Sequence, residues 1–148
     1  MKKVGYFIIF LIVLAFVKVA TKSFVKGMFQ NSTKLTYKDS LNLYIESLES
    51  VQDSLNNALS GKKIDDITVV DSLRISKADT SIHYYLHITT YVKNELDIEK
   101  LDDAMKPILD SFVTNNEKMS INRRFKTKFI YSYFDKKGDF LTTIKADY

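Results

Sequence analysis

The chain has 148 residues, no cysteine and a formal charge of +4, with 22 Lys and Arg against 18 Asp and Glu. That length makes one domain the default, and the missing cysteine excludes disulfides, thiol catalysis and cysteine-ligated zinc. Seven of the basic residues are lysines within residues 1–38, which leaves 15 basic against 18 acidic, a net of −3. A duplex-binding domain shows a net basic footprint, so this balance argues against nucleic acid as a partner.

The first acidic residue is Asp39, and an uncharged, mostly apolar run extends from Val4 to Val17. Its 14 residues span roughly 21 Å as a helix, short of a ~30 Å hydrocarbon core. Extension to Val25 reaches roughly 33 Å, provided that Lys18 and Lys22 snorkel to the headgroups. Residues 1–26 therefore read as a transmembrane anchor or a signal segment. Ala20 as a cleavage residue would place Lys18 at −3, and Ser23 with Thr21 lacks the A-x-A form. An uncleaved signal anchor and a cleaved signal peptide both remain open, and both export the rest of the chain. Lys18, Lys22 and Lys26 recur every four residues on one helix face, which suits the membrane interface. Residues 27–36 read as a linker, and residues 37–148 as a small α+β domain.

Within the domain, Thr36-Tyr-Lys-Asp39 resembles a helix-capping signal, with Asp39 a candidate N-cap. Leu41, Tyr44, Ile45, Leu48, Val51, Leu55 and Leu59 follow at helical spacing, and Gly61 is a natural stop, which predicts one helix over 39–60. A β-hairpin comes next. Ile67, Val69, Leu73 and Ile75 alternate with polar residues, and Asp71 interrupts them as an edge or a bulge would. Lys77-Ala-Asp-Thr80 is the turn, and Ile82, Tyr84, Leu86, Ile88 and Val92 alternate with His83, Tyr85, His87 and Tyr91. Asp97 caps a second predicted helix with a buried stripe from Leu101 to Val113. Pro107 should kink or restart it, and Asn115-Asn116 ends it.

The last hairpin sets Phe125, Phe129, Tyr131 and Tyr133 against Arg124, Lys126, Lys128 and Ser132, turns at Asp135–Gly138, and closes with Phe140, Thr142 and Ile144. The order α-β-β-α-β-β predicts two helices on one face of a four-stranded antiparallel sheet, behind the N-terminal membrane helix. Tyr131-Ser-Tyr133-Phe-Asp135-Lys-Lys-Gly138 is similar to the Y-x-Y-x-D-x-x-G ending of small bacterial envelope proteins. These pair an N-terminal export segment with a compact α+β domain. The resemblance implies an inner-membrane or exported location and a fold class, and carries no active site.

Chemical signatures are sparse. His83 and His87 are four residues apart on a predicted strand, about 13 Å, too far for one ion with ~2 Å bonds. Asp135 and Asp139 bracket Gly138 without the order of a calcium loop. Asp65-Asp66 and Asp102-Asp103 point different ways, unlike a catalytic carboxylate pair. No catalytic, metal or cofactor-binding residues are assigned, which predicts a non-enzymatic protein without a cofactor. The candidate surface is the sheet face opposite the core. His83, Tyr85, His87, Tyr91, Arg124, Lys126 and Lys128 are placed there, a mixture of aromatic and basic groups suited to a protein partner. Charge is uneven too: residues 39–117 carry a net −8 and residues 118–148 a net +5. Either the basic end folds against the acidic part, or it serves an acidic partner.

The reading is a membrane-anchored interaction or structural protein of a bacterial envelope. The alternative is a secreted, inhibitor-like or immunity-like binder freed by signal cleavage.

Overall fold

The computed structural model describes residues 36–148. The expected membrane segment, with Lys18, Lys22 and Lys26, lies outside the described residues. No described helix is long and apolar enough to cross a membrane. The chain order is α1 (Tyr37–Glu49), α2 (Gln52–Leu59), β1 (Thr68–Ser76), β2 (Ser81–Ile88), α3 (Ile98–Asn115), α4 (Ser120–Arg124), β3 (Lys128–Phe134) and β4 (Phe140–Ala146). The α+β class stands. Four helices, however, replace the expected two among the described residues, and the antiparallel sheet is mixed.

Thr36 is the N-cap of α1, and Asp39 completes a capping box as its third residue. The Thr36 side chain accepts the Asp39 N–H at 3.2 Å, and the Asp39 carboxylate accepts the Thr36 N–H at 3.1 Å. The helix therefore starts two residues before the predicted position. The single helix expected over 39–60 breaks at Ser50–Val51, with Val51 at φ −109°, ψ 0°. The cause is local. The Ser47 hydroxyl donates to the Tyr44 carbonyl and the Ser50 hydroxyl to the Ser47 carbonyl, competing with the helical ladder. Gly61 then stops α2 with φ +75°, a conformation that costs a Cβ-bearing residue.

The sheet order is β1-β2-β3-β4. Both hairpins are antiparallel, but β2 pairs with β3 in parallel, Ser81 opposite Lys128 and Tyr84 opposite Tyr131. Residues 89–127 form the crossover, with α3 inside it, and such a connection is what parallel neighbours require. Side-chain alternation is the same for either orientation, so the error in the expected sheet has a plain origin. Asp97 caps α3 as expected, accepting the Lys100 N–H at 3.2 Å. Pro107 lies inside α3 without ending it. It sits on the exposed side, where a missing hydrogen bond leaves its carbonyl partner to water.

The strand expected to begin near Arg124 starts at Lys128. Residues 120–124 are the short helix α4, and Lys126 adopts φ +51° in the turn that follows. A single core fills the space between helices and sheet. It takes Val70, Leu73 and Ile75 from β1, Ile82, Tyr84, Leu86 and Ile88 from β2, and Phe129, Tyr131 and Tyr133 from β3. Tyr84 and Tyr131 stack at 5.1 Å across the parallel pair. Where α1 meets α4 and the turn after it, buried Tyr44 stacks on Phe125 at 4.8 Å and its hydroxyl bonds Asn122 and, at 3.1 Å, Thr127.

The two edges of the sheet differ. Along β1, α2 supplies side-chain amides in place of a fifth strand. Asn56 accepts the Leu73 N–H at 2.6 Å and donates to the Leu73 carbonyl at 3.0 Å, and Gln52 accepts the Ile75 N–H at 2.6 Å. Residues 61–64 cover the start of the same strand through Gly61 N to Val70 O and Ile64 N to Thr68 O, each 2.8 Å. This edge is closed to strand addition. The other edge, β4, borders α3, whose Asp102 accepts the Thr142 hydroxyl at 3.1 Å.

Candidate functional site

The helices use one face of the sheet and leave the other without a covering layer among the described residues. Alternation fixes what projects there. His83, Tyr85 and His87 come from β2, Ile130, Ser132 and Phe134 from β3, and Thr143 and Lys145 from β4. The open face splits into two regions with different chemistry.

Along its middle runs a string of polar contacts. The Tyr85 hydroxyl lies 3.5 Å from His83 Nδ1, His83 Nε2 lies 2.8 Å from Ser132 Oγ, and Ser132 Oγ lies 2.8 Å from Thr143 Oγ1. The His83 and Tyr85 rings stack at 4.5 Å. Burial holds the His83 imidazole below its usual value, with Arg74 adding to the shift and Asp79 opposing it. A serine beside a histidine has the form of a nucleophile and its base. Three features weigh against that chemistry. Ser132 is only 4% exposed. No carboxylate hydrogen-bonds His83 among the described residues. The neighbouring backbone N–H groups are also committed to the sheet ladder, which leaves no oxyanion donor. The contacts account for the string as cross-strand bonding that satisfies polar groups on a half-covered face.

Toward the carboxyl ends of β2 and β3 the face deepens into a groove of about 490 Å³. Its walls are built by two irregularities. On β1 the register shifts between Val70 and Ser72, and this bulge turns Asp71 onto His87, Oδ1 to Nδ1 at 3.0 Å. On the far side is the β3–β4 turn. Asp135 is 1% exposed, and its carboxylate accepts three backbone N–H groups, from Lys93 and Lys137 at 2.8 Å and from Asp139 at 2.9 Å. Burial pushes this carboxyl up, and the N–H groups of Lys93, Asp139 and Lys137 outweigh it and hold it below the ordinary value. The carboxylate thus pins the hairpin turn to the loop after β2, with Lys136 N–H to Tyr91 O at 3.1 Å as a second tie. Gly138 takes φ +85°. Tyr85 and Phe134 form an aromatic floor, ring centroids 6.4 Å apart, and Lys136 and Lys137 stand at the rim. The volume lies in the range of small-ligand and side-chain pockets, and its aromatic floor with a few polar groups is the usual lining.

The seven residues expected on this face are not all together. His83, Tyr85 and His87 are on it, and Lys128 shares the phase of Ile130 at its margin. Tyr91 lies past β2 beside the groove, 41% exposed. Arg124 and Lys126 do not belong to the face: they precede β3, at the opposite end of the strands. The groove residues that sequence reasoning did not place on this face are Asp71 and Ser72 of β1, Phe134, and Asp135, Lys136, Lys137 and Gly138 of the turn. Phe134 was legible as the next member of the Ser132 series. The lysines were visible only as turn residues. Among the described residues, no three His, Asp or Glu side chains gather as a metal-ligand set.

Among the described residues, Lys77–Glu46, His87–Asp71, Lys100–Asp97, and Lys106 with Asp110 and Asp147 pair within 4 Å. Arg124, Lys126, Lys128, Lys136, Lys137 and Lys145 take part in none of them.

A family model described as a domain of unknown function (DUF8479) matches residues 42–142. The chain belongs to this family. The DUF8479 span takes in the first hairpin, the crossover, β3, the start of β4 and every residue of the groove. No curated protein matches the chain. A crystal structure described as that of a putative secreted protein from Pseudomonas aeruginosa is similar, with a TM-score of 0.53 and 14% identity, over 76% of this chain and 95% of that one. At this identity the likeness is one of fold. The DUF8479 domain here and that protein share an arrangement of helices on a sheet.

Proposed function

We propose that this protein is a non-enzymatic binding module of the bacterial envelope, exported and held at the inner membrane by its N-terminal segment. The observation that carries this reading is the uncovered sheet face. Its groove combines aromatic floor, paired Asp71–His87 wall and lysines outside any ion pair, an arrangement for holding a protein partner and not for turning over a substrate. The turn pinned by Asp135 supports binding at this rim, since a fixed rim loses little freedom on binding. The likeness in fold to a putative secreted protein supports an exported domain. It fits equally the second form of the reading, a binder released by signal cleavage.

The test is site-directed. A photocrosslinking residue at Phe134 or Lys137 should capture one partner from envelope preparations, and the same residue at Asn57, on the exposed side of α2, should not. Equal products from all three positions would refute the groove as the interface. Intact mass of the native protein separates the two forms, because only the released one lacks the leader.

A further inference from the structure

The domain has two ends along its strands, and the chain enters at one of them. Tyr37, the first residue of α1, packs on Phe125 at 5.7 Å, and its hydroxyl reaches the Arg124 carbonyl at 3.4 Å. The first described residues therefore lie at the end where β2 and β3 begin. The groove is at the other end, where they finish. Seven steps along β2 separate them, about 23 Å.

The entry end has its own composition. Arg124, Lys126 and Lys128 are exposed there and lie outside the ion pairs within 4 Å among the described residues. Lys126 stands on a turn with φ +51°. Tyr37 and Tyr148, 55% and 47% exposed, flank them, and the Tyr148 hydroxyl donates to the Thr127 carbonyl, which fixes its place. Of the acidic groups at this end, Asp39 caps α1, Glu46 binds Lys77 at 2.7 Å and Asp147 binds Lys106 at 2.6 Å. Asp79 accepts the Ser81 hydroxyl at 2.7 Å and keeps its charge within electrostatic reach of Lys128. The segment that enters here carries only lysines as charged residues through Lys38.

We propose that this end docks on an anionic lipid surface, with Arg124, Lys126 and Lys128 against headgroup phosphates and Tyr37 and Tyr148 at the interface. Cations near an anionic leaflet and tyrosines at headgroup level are both favoured there. The consequence is orientation: the groove faces away from the bilayer. The inference rests on the anchored reading, and it goes beyond it, because an anchor alone does not decide which end of the domain meets the bilayer.

The chain has no cysteine, so one introduced thiol carries one spin label. Ala78→Cys marks the exposed β1–β2 turn at the entry end, and Thr90→Cys marks the groove end. The full chain is reconstituted in phosphatidylcholine vesicles, with or without an equal share of phosphatidylglycerol, doped with a nickel-chelating lipid. Strong relaxation of the label at 78 in anionic vesicles is expected, with little at 90. Each of Arg124→Glu, Lys126→Glu and Lys128→Glu should reduce the docked-to-free ratio about fivefold or more, and high salt should abolish the contact. Relaxation at 78 that ignores lipid charge and salt, or that equals the value at 90, overturns the docking while leaving the anchor intact. A chain that washes off neutral vesicles in high salt defeats the anchored reading and the arrangement with it. Should a glutamate variant misfold, the comparison of lipids and salt in the otherwise native chain still decides.

Discussion

Asn56 and Asn57 are neighbours on α2 with the same chemistry and opposite surroundings. Asn56 holds both backbone groups of Leu73, at 2.6 and 3.0 Å, and Asn57 is exposed. Replacement of either by Ala gains helix propensity, up to ~0.7 kcal/mol. Asn56→Ala also loses two hydrogen bonds of about 1 kcal/mol net each, with a further desolvation cost of ~1 kcal/mol or more if water does not reach the Leu73 groups. The balance is a loss of about 1–2.5 kcal/mol for Asn56→Ala against a small gain for Asn57→Ala. With a urea dependence of ~1–3 kcal/mol/M, the midpoint of unfolding should fall by roughly 1 M in the first variant and hold or rise in the second. Far-UV circular dichroism of the full chain during urea titration measures both. The reasoning fails if the two variants have the same midpoint, for then the amide is not an edge partner of β1. Light scattering adds a second reading, since an unsealed edge should raise self-association of Asn56→Ala.

Three further outcomes are expected from other parts of the fold. Leu86→Ala and Leu109→Ala, at residues 1% and 3% exposed, should each cost ~2–5 kcal/mol, read as a fall in the unfolding midpoint; a shift under about 0.5 kcal/mol would place either residue outside the core. Asp135→Asn should flatten the acid limb of the stability curve: the native carboxyl titrates below its ordinary value of 3.8, so the stability it contributes is present above that value and is lost as pH falls further, and an unchanged limb in the variant would show that the three N–H bonds carry no such contribution. A chain shortened to begin at Asn31 should stay folded and remain in the supernatant of membranes in high salt, and its sedimentation with them would refute residues 1–26 as the membrane determinant.

Side-chain alternation carried much of this fold. The β1–β2 hairpin, its Lys77–Thr80 turn, the Asp97 cap and the Gly138 turn were all readable, because each depends on residues close in sequence. Strand orientation was not. Tyr84 and Tyr131 alternate identically whether β2 and β3 run together or apart, and only the crossover decides. The stretch before β3 misled for a related reason. Arg124, Phe125, Lys126 and Thr127 mimic a strand, while Ile121 and Phe125 at i,i+4 held the competing helical signal for α4. The break in the first helix lay in Ser47 and Ser50, whose hydroxyls return to carbonyls three residues back. At the candidate site, the position of β2 on the open face was legible, and so were its two histidines. The groove was not, since it arises from a bulge at Asp71 and from a carboxylate at Asp135 that spans 42 residues to reach Lys93.

The aromatic core also gives the molecule its optical character. There is no tryptophan, so absorbance and emission belong to tyrosine. Burial pushes the hydroxyls of Tyr44, Tyr84, Tyr131 and Tyr133 well above the ordinary value of 10.0. These rings remain neutral in the native state while an unfolded chain would ionise them. The stability they contribute is therefore whole below that ordinary value and drains away as alkalinity rises through it. Phenolate formation at these four rings and loss of the fold become one event, and a simple ultraviolet titration reads the integrity of the layer between helices and sheet without any added label.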